Sequence, residues 1–154
     1  MLHVVIDSTV LVSAFLTRGG VAAELLRRAR AGVFLVSLSE EILAETERVL
    51  LTYPHIRMRY PYEDQEVTEF CQGLRRAAQL VADLPQVTVV IRDPKDDMAI
   101  ATALKAQVSY IVTRDDDLLS LQVYEGITII TPEAFMAILR ETRPTEDAET
   151  EETP

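Results

Sequence analysis

Cysteine is nearly missing from this chain: Cys71 is the only one among 154 residues. That excludes a disulfide framework and sets the expected location in a reducing compartment, the cytoplasm. Cys71 falls within a helical pattern and reads as a small buried apolar side chain. No apolar run reaches the roughly 18 residues that a membrane span requires, so no membrane contact is expected. A basic segment ahead of the first apolar run is lacking too, which argues against a secretory signal. His3 and His55 stand in no zinc-type spacing, and one cysteine adds nothing to them. Lysine is scarce, with Lys95 and Lys105 alone beside the arginines. Nor is there an excess of positive charge, since the formal net charge is −10, at first sight unlike a nucleic-acid binder.

The distribution of that charge changes the picture. Residues 141–154, "ETRPTEDAETEETP", hold six acids against one arginine, a net of −5 and half of the chain's total. With no apolar side chain larger than alanine, this stretch cannot dock on a core, and a disordered acidic tail is expected there. Residues 1–140 remain as one domain, long enough to bury a sizeable core.

Strand-like runs occur at "HVVI", "VFLVS", "VTVVI", "YIVT" and "ITII", with helical patterns near 20–31, 39–51, 62–82, 94–106 and 132–141. Alternation of this kind predicts an α/β fold, an α/β/α sandwich around a mainly parallel sheet of about five strands. Such sheets bind ligands beyond the carboxyl ends of their strands. Asp7 stands at one such end, after "HVVI", and the run Arg114–Asp117 stands at another, after "YIVT".

The acids divide into explained and unexplained. Asp93 before Pro94 reads as a helix N-cap, and Asp96 as a first-turn acid favoured by the helix dipole. Asp97 shares a face with Ile100, Ala101 and Leu104, so it sits on the apolar stripe. Ser39 reads as an N-cap followed by Glu40 and Glu41, whereas Glu45 looks inward with Ile42 and Val49 and has Arg48 in pairing distance. Asp115, Asp116 and Asp117 are capping or solvated acids when taken alone. Jointly, Asp7, Glu45, Asp97 and Asp115 come from four elements and would repel one another at one sheet rim unless a cation sat among them. All-oxygen ligation of that kind suits Mg²⁺ or Mn²⁺.

These residues resemble the PIN-domain family of metal-dependent ribonucleases, and within it the branch of VapC-like toxins of toxin–antitoxin pairs. The carrying motifs are Asp7-Ser8-Thr9 before "VLVSAFL", "SEEILAE" ending in Glu45, "DMAIATA" opening on Asp97, and "TRDDDLL" from Thr113 to Leu119. The resemblance implies an endoribonuclease that hydrolyses RNA phosphodiester bonds, with Asp7, Glu45, Asp97 and Asp115 as catalytic metal ligands and Asp117 a further ligand. It also implies Ser8, Thr9 and Thr113 as supports of that shell, although hydroxyls at strand ends are equally ordinary caps. Thr9 departs from the asparagine usual at that place. Arg18, Arg57, Arg59 and Arg114 are candidate phosphate contacts, with Tyr53 and Tyr60 as stacking partners. A cognate antitoxin and a homodimer are the partners the family suggests. Two rival readings remain: a haloacid-dehalogenase-type phosphatase, which needs an Asp where Thr9 stands, and a catalytically quiet protein that acts by binding RNA or a protein partner.

Overall fold

The computed structural model describes the backbone of residues 1–87 and 94–152 and the side chains of residues 1–87 and 97–142. Among the described residues six strands form one sheet: β1 (His3–Ile6), β2 (Leu35–Ser39), β3 (Gln79–Val81), β4 (Tyr110–Val112), β5 (Val123–Tyr124) and β6 (Ile127–Ile130). Their order is β3-β2-β1-β4-β6-β5, parallel throughout except for the β5–β6 pair. Among the described residues eight helices flank it: α1 (Ser8–Leu16), α2 (Val21–Arg30), α3 (Glu40–Thr52), α4 (Pro54–Arg59), α5 (Asp64–Ala77), α6 (Pro94–Ala106), α7 (Asp116–Leu119) and α8 (Pro132–Glu152). Among the described residues no single helix is long and apolar enough to cross a membrane.

Val4, Val5 and Ile6 have no exposed surface. A strand buried on both faces reads as a continuous apolar run rather than an alternating one, which is why "HVVI" was legible. Val5 pairs with Ser37 on one side and Ile111 on the other, which puts β1 at the sheet's centre. From β1 the chain builds outward through β2 and β3, then crosses over to β4 and β6. The strand order therefore reverses between β1 and β4, and the ligand crevice of such sheets lies beyond the carboxyl ends of those strands.

Several of the expected elements need correction, and α8 runs on to Glu152, past the expected helix end at 141. Helix 62–82 stops at Ala77, and Gln79–Val81 becomes an edge strand on β2. That pairing is tertiary, so the local apolar pattern could not show it. The second strand lies at Leu35–Ser39 rather than at "VFLVS", because Gly32 takes a φ of 82° and keeps Val33 and Phe34 in the turn. The run after Asp7 is a helix of its own, α1. The sheet has a sixth strand, β5, folded onto β6 by Glu125 and Gly126 at φ 47° and 81°. Two successive positive φ values suit a tight hairpin turn. The strand expected at "VTVVI" and the Asp93 cap fall on residues 88–93, outside the described residues.

Ser39 ends β2 and caps α3: its Oγ accepts from the Ile42 N–H at 3.3 Å and lies 2.8 Å from Thr102 Oγ1 of α6. Both hydroxyls are fully buried. Ser39→Ala is expected to cost about 1–3 kcal/mol, since it removes a cap and leaves a buried hydroxyl unpartnered. A denaturant melt checks this by a lower midpoint at unchanged slope. Cys71 is buried as expected, and burial pushes its thiol up to about 11.

Candidate active site

Asp7 follows β1 and is pinned from three directions. Its N–H donates to Val112 O at 3.0 Å, and its carbonyl accepts from the N–H groups of Val10 and Leu11 at 3.0 and 3.1 Å. It is thus the N-cap of α1 by backbone, yet its side chain makes no cap hydrogen bond. The carboxylate lies at the crevice instead, where Thr113 Oγ1 donates to Oδ2 at 2.7 Å and Thr9 Oγ1 donates to the same oxygen at 2.8 Å. Oδ1 accepts from the Ser8 hydroxyl at 3.5 Å.

This carboxylate is 4% exposed. Burial pushes its pKa up, the hydroxyls of Thr113 and Thr9 and the Ser8 N–H partly offset that, and the Asp115 charge pushes it further up. So the nearest charge acting on a buried acid is another acid.

Asp115 reaches the crevice from the far side of the β1–β4 junction. Thr113 closes β4 through its N–H to Ile130 O at 2.9 Å, and its Oγ1 accepts from the Asp115 N–H at 3.0 Å. Asp115 then caps α7, its Oδ2 accepting from the Leu118 N–H at 3.0 Å. Thr9 completes the bridge: its hydroxyl lies 3.4 Å from that of Thr113 and accepts from the Arg114 N–H at 3.1 Å. Asp117 follows on α7, half-buried. The hydroxyls of Thr9 and Thr113 therefore join the two acids into one network across more than a hundred residues of sequence.

Glu45 sits on α3 and Asp97 in the first turns of α6, both half-buried. Arg48 holds Glu45 by a two-pronged contact, Nη2 to Oε1 at 2.6 Å and Nε to Oε2 at 3.2 Å. Among the described residues no three His, Cys, Asp or Glu side chains are arranged to hold one metal ion. Asp7 and Asp115 act on one another, while Glu45 is bonded to its arginine. The pair still fits a hard divalent cation. A buried carboxylate whose charge is opposed by both burial and a like charge, flanked by hydroxyls, offers only oxygen donors. Mg²⁺ commonly takes one or two carboxylates and keeps several waters.

The basic candidates fare unequally. Arg57 is committed to Asp64 at 2.7 Å and lies over the Tyr62 ring, and Arg114 is committed to Glu133 at 2.9 Å. Nothing in the sequence marked Glu133, nineteen residues on, as the holder of Arg114. Arg59 stacks over Tyr60, and Tyr53 takes a hydrogen bond from Arg48. Arg18 and Tyr60 line a cleft of about 630 Å³ between α1, α2 and α5, floored by Phe15 and Phe70. None of Asp7, Glu45, Asp97 and Asp115 lines that cleft.

Comparison of the whole chain with curated proteins finds no match. A family model described as "PIN domain" matches residues 3–117, about three-quarters of the chain. PIN domains are in general nucleases that act on RNA and use divalent metal ions. The matched span runs from β1 through Asp117 and takes in Asp7, Glu45, Asp97, Asp115 and Asp117, and the chain belongs to the PIN-domain family.

Proposed function

We propose that the protein is a Mg²⁺- or Mn²⁺-dependent endoribonuclease, the toxin of a toxin–antitoxin pair, working in the cytoplasm as a homodimer restrained by an antitoxin protein. The observation that carries the nuclease reading is the buried Asp7 carboxylate, joined to Asp115 through Thr9 and Thr113 at the point where strand order reverses. Asp7 and Asp115 would hold the ion, with Glu45, Asp97 and Asp117 joining directly or through water. Once bound, that ion supplies an activated water and neutralises charge on the phosphate oxygens.

The chain's own residues supply orientation. Thr113 and Thr9 fix Oδ2 of Asp7 by donating to it, which leaves Oδ1 as its outward oxygen. Asp115 spends one oxygen on capping α7 and keeps the other for the crevice. Thr9 makes three contacts, to Asp7, Thr113 and the Arg114 N–H, so the hydroxyl performs the orienting work expected of an asparagine there. This favours an active site over a quiet one.

Purified protein incubated with a mixed RNA pool and Mn²⁺ or Mg²⁺ is expected to cut it, with EDTA abolishing the cut. Cleavage that persists in EDTA, or in an Asp7→Asn variant, would refute the proposal. Growth arrest on expression in a bacterial host, absent for Asp7→Asn, tests the toxin role. Thr113→Val keeps the shape of a fully buried side chain but strips Asp7 and the Asp115 N–H of a partner. Cleavage by it is expected to fall about 10–100-fold, as for other outer ligand supports, with the circular-dichroism spectrum unchanged.

A further inference from the structure

Glu45 and Arg48 differ from the other helix-surface pairs. Arg27 and Glu24 on α2 are spaced alike but stand well out in solvent, their side chains 53% and 39% exposed. In the α3 pair the acid is 12% exposed and the base 43%. The acid is therefore turned into the fold while the guanidinium covers it from outside. Both Glu45 oxygens are engaged, one by Nη2 and one by Nε. Arg48 has a second anchorage: Nη2 also lies 3.3 Å from the Tyr53 hydroxyl, and its guanidinium stands 5.3 Å from the centre of the Tyr53 ring. Tyr53 closes α3 and opens α4, so its place is fixed by two helices.

We propose that Arg48 competes with the divalent ion for Glu45 and thereby sets the metal concentration at which the site fills. The inference rests on the reading of Glu45 as a ligand. A carboxylate bonded through both oxygens to a guanidinium has given its charge to that partner, and a second cation at the same carboxylate is repelled by the first. Metal entry therefore requires Glu45 to turn from Arg48. The guanidinium need not go out into water when this happens, because the Tyr53 hydroxyl and ring already hold it. α3 begins at Ser39, at the same sheet edge as Asp7, and packs against α1 and α6. In this scheme a turn of the Glu45 side chain exchanges one cation for the other. Arg48 is a positioning residue in this scheme and touches no substrate.

The test is Mn²⁺ binding by the full chain, followed through the paramagnetic resonance signal of the free ion. Arg48→Gln is expected to bind Mn²⁺ about fivefold or more tightly than the unaltered protein. Arg48→Lys, which keeps the charge but not the fork, is expected to fall between them and decides the matter if the Gln variant does not fold. In a Glu45→Gln background, removal of Arg48 is expected to leave affinity unchanged, because the competed group is gone. Equal or weaker binding by Arg48→Gln, beside normal binding by the unaltered protein, overturns the competition and leaves the nuclease reading standing. No Mn²⁺ binding by any of these chains overturns both.

Discussion

Asp7→Asn is expected to lower RNA cleavage by about a thousandfold or more, several kcal/mol of transition-state stabilisation, while making the metal-free fold more stable. The two effects have one cause. Asp7 is buried beside Asp115, and burial raises its pKa above the value it has in the unfolded chain. A group of that kind contributes its full stability below the unfolded pKa and loses it as pH rises through the folded one. Above the unfolded pKa, ionising Asp7 therefore costs the folded protein more than it costs the unfolded chain. Asparagine has nearly the same shape and no charge, and the hydroxyls of Thr9 and Thr113 can rotate to serve it. In EDTA the variant should melt higher by roughly 2–8 °C, corresponding to about 1–2 kcal/mol. The gain should be small near pH 4 and grow toward pH 7. Added Mn²⁺ should raise the melting temperature of the unaltered protein and leave that of the variant unmoved. A variant that melts lower than the parent in EDTA at pH 7 would show that Asp7 supports the fold rather than straining it.

Phe135→Ala should have the largest effect on stability. Phe135 on α8 is fully buried, its ring edge-on to Phe34 at 5.0 Å and tilted against Tyr110 at 5.7 Å. It ties α8 to the turn before β2 and to the first residue of β4. Truncating a buried phenylalanine costs about 3–5 kcal/mol, a large share of the 5–15 that a domain usually has. The melting temperature should drop by roughly 6–20 °C. Phe135→Leu, which fills most of the space, should cost clearly less. Both variants should still cleave RNA at low temperature in proportion to the fraction folded, because the ring packs near the start of β4 while Thr113 stands past its end. Loss of cleavage from a fully folded Phe135→Leu would refute that separation.

The sequence was most readable where burial dictates composition. "HVVI" and "YIVT" are central parallel strands, covered on both faces, so their composition alone betrays them. The acids were legible because a carboxylate next to an apolar strand or on an apolar helix stripe costs free energy unless something requires it. Asp7 and Asp115 illustrate this, one after each strand at the switch point. Less legible was whatever depends on distant partners. β3 exists because β2 offers it an edge, β5 because a two-residue turn folds it back, and the binding of Arg114 to Glu133 depends on where α8 begins. The pairing of Glu45 with Arg48, by contrast, was legible from their spacing of three, which a surface pair on α2 shares.

The bond from Thr113 to Asp7 joins residues 106 apart. During synthesis Asp7 emerges more than a hundred residues before the hydroxyl that orients it. Thr113 in turn is fixed by the carbonyl of Ile130, which comes later still. A partly made chain thus has its first acid and no pocket around it. In the proposed ribonuclease, this order of assembly withholds the activity from the messenger and ribosome that are producing it until the last strand of the sheet is in place.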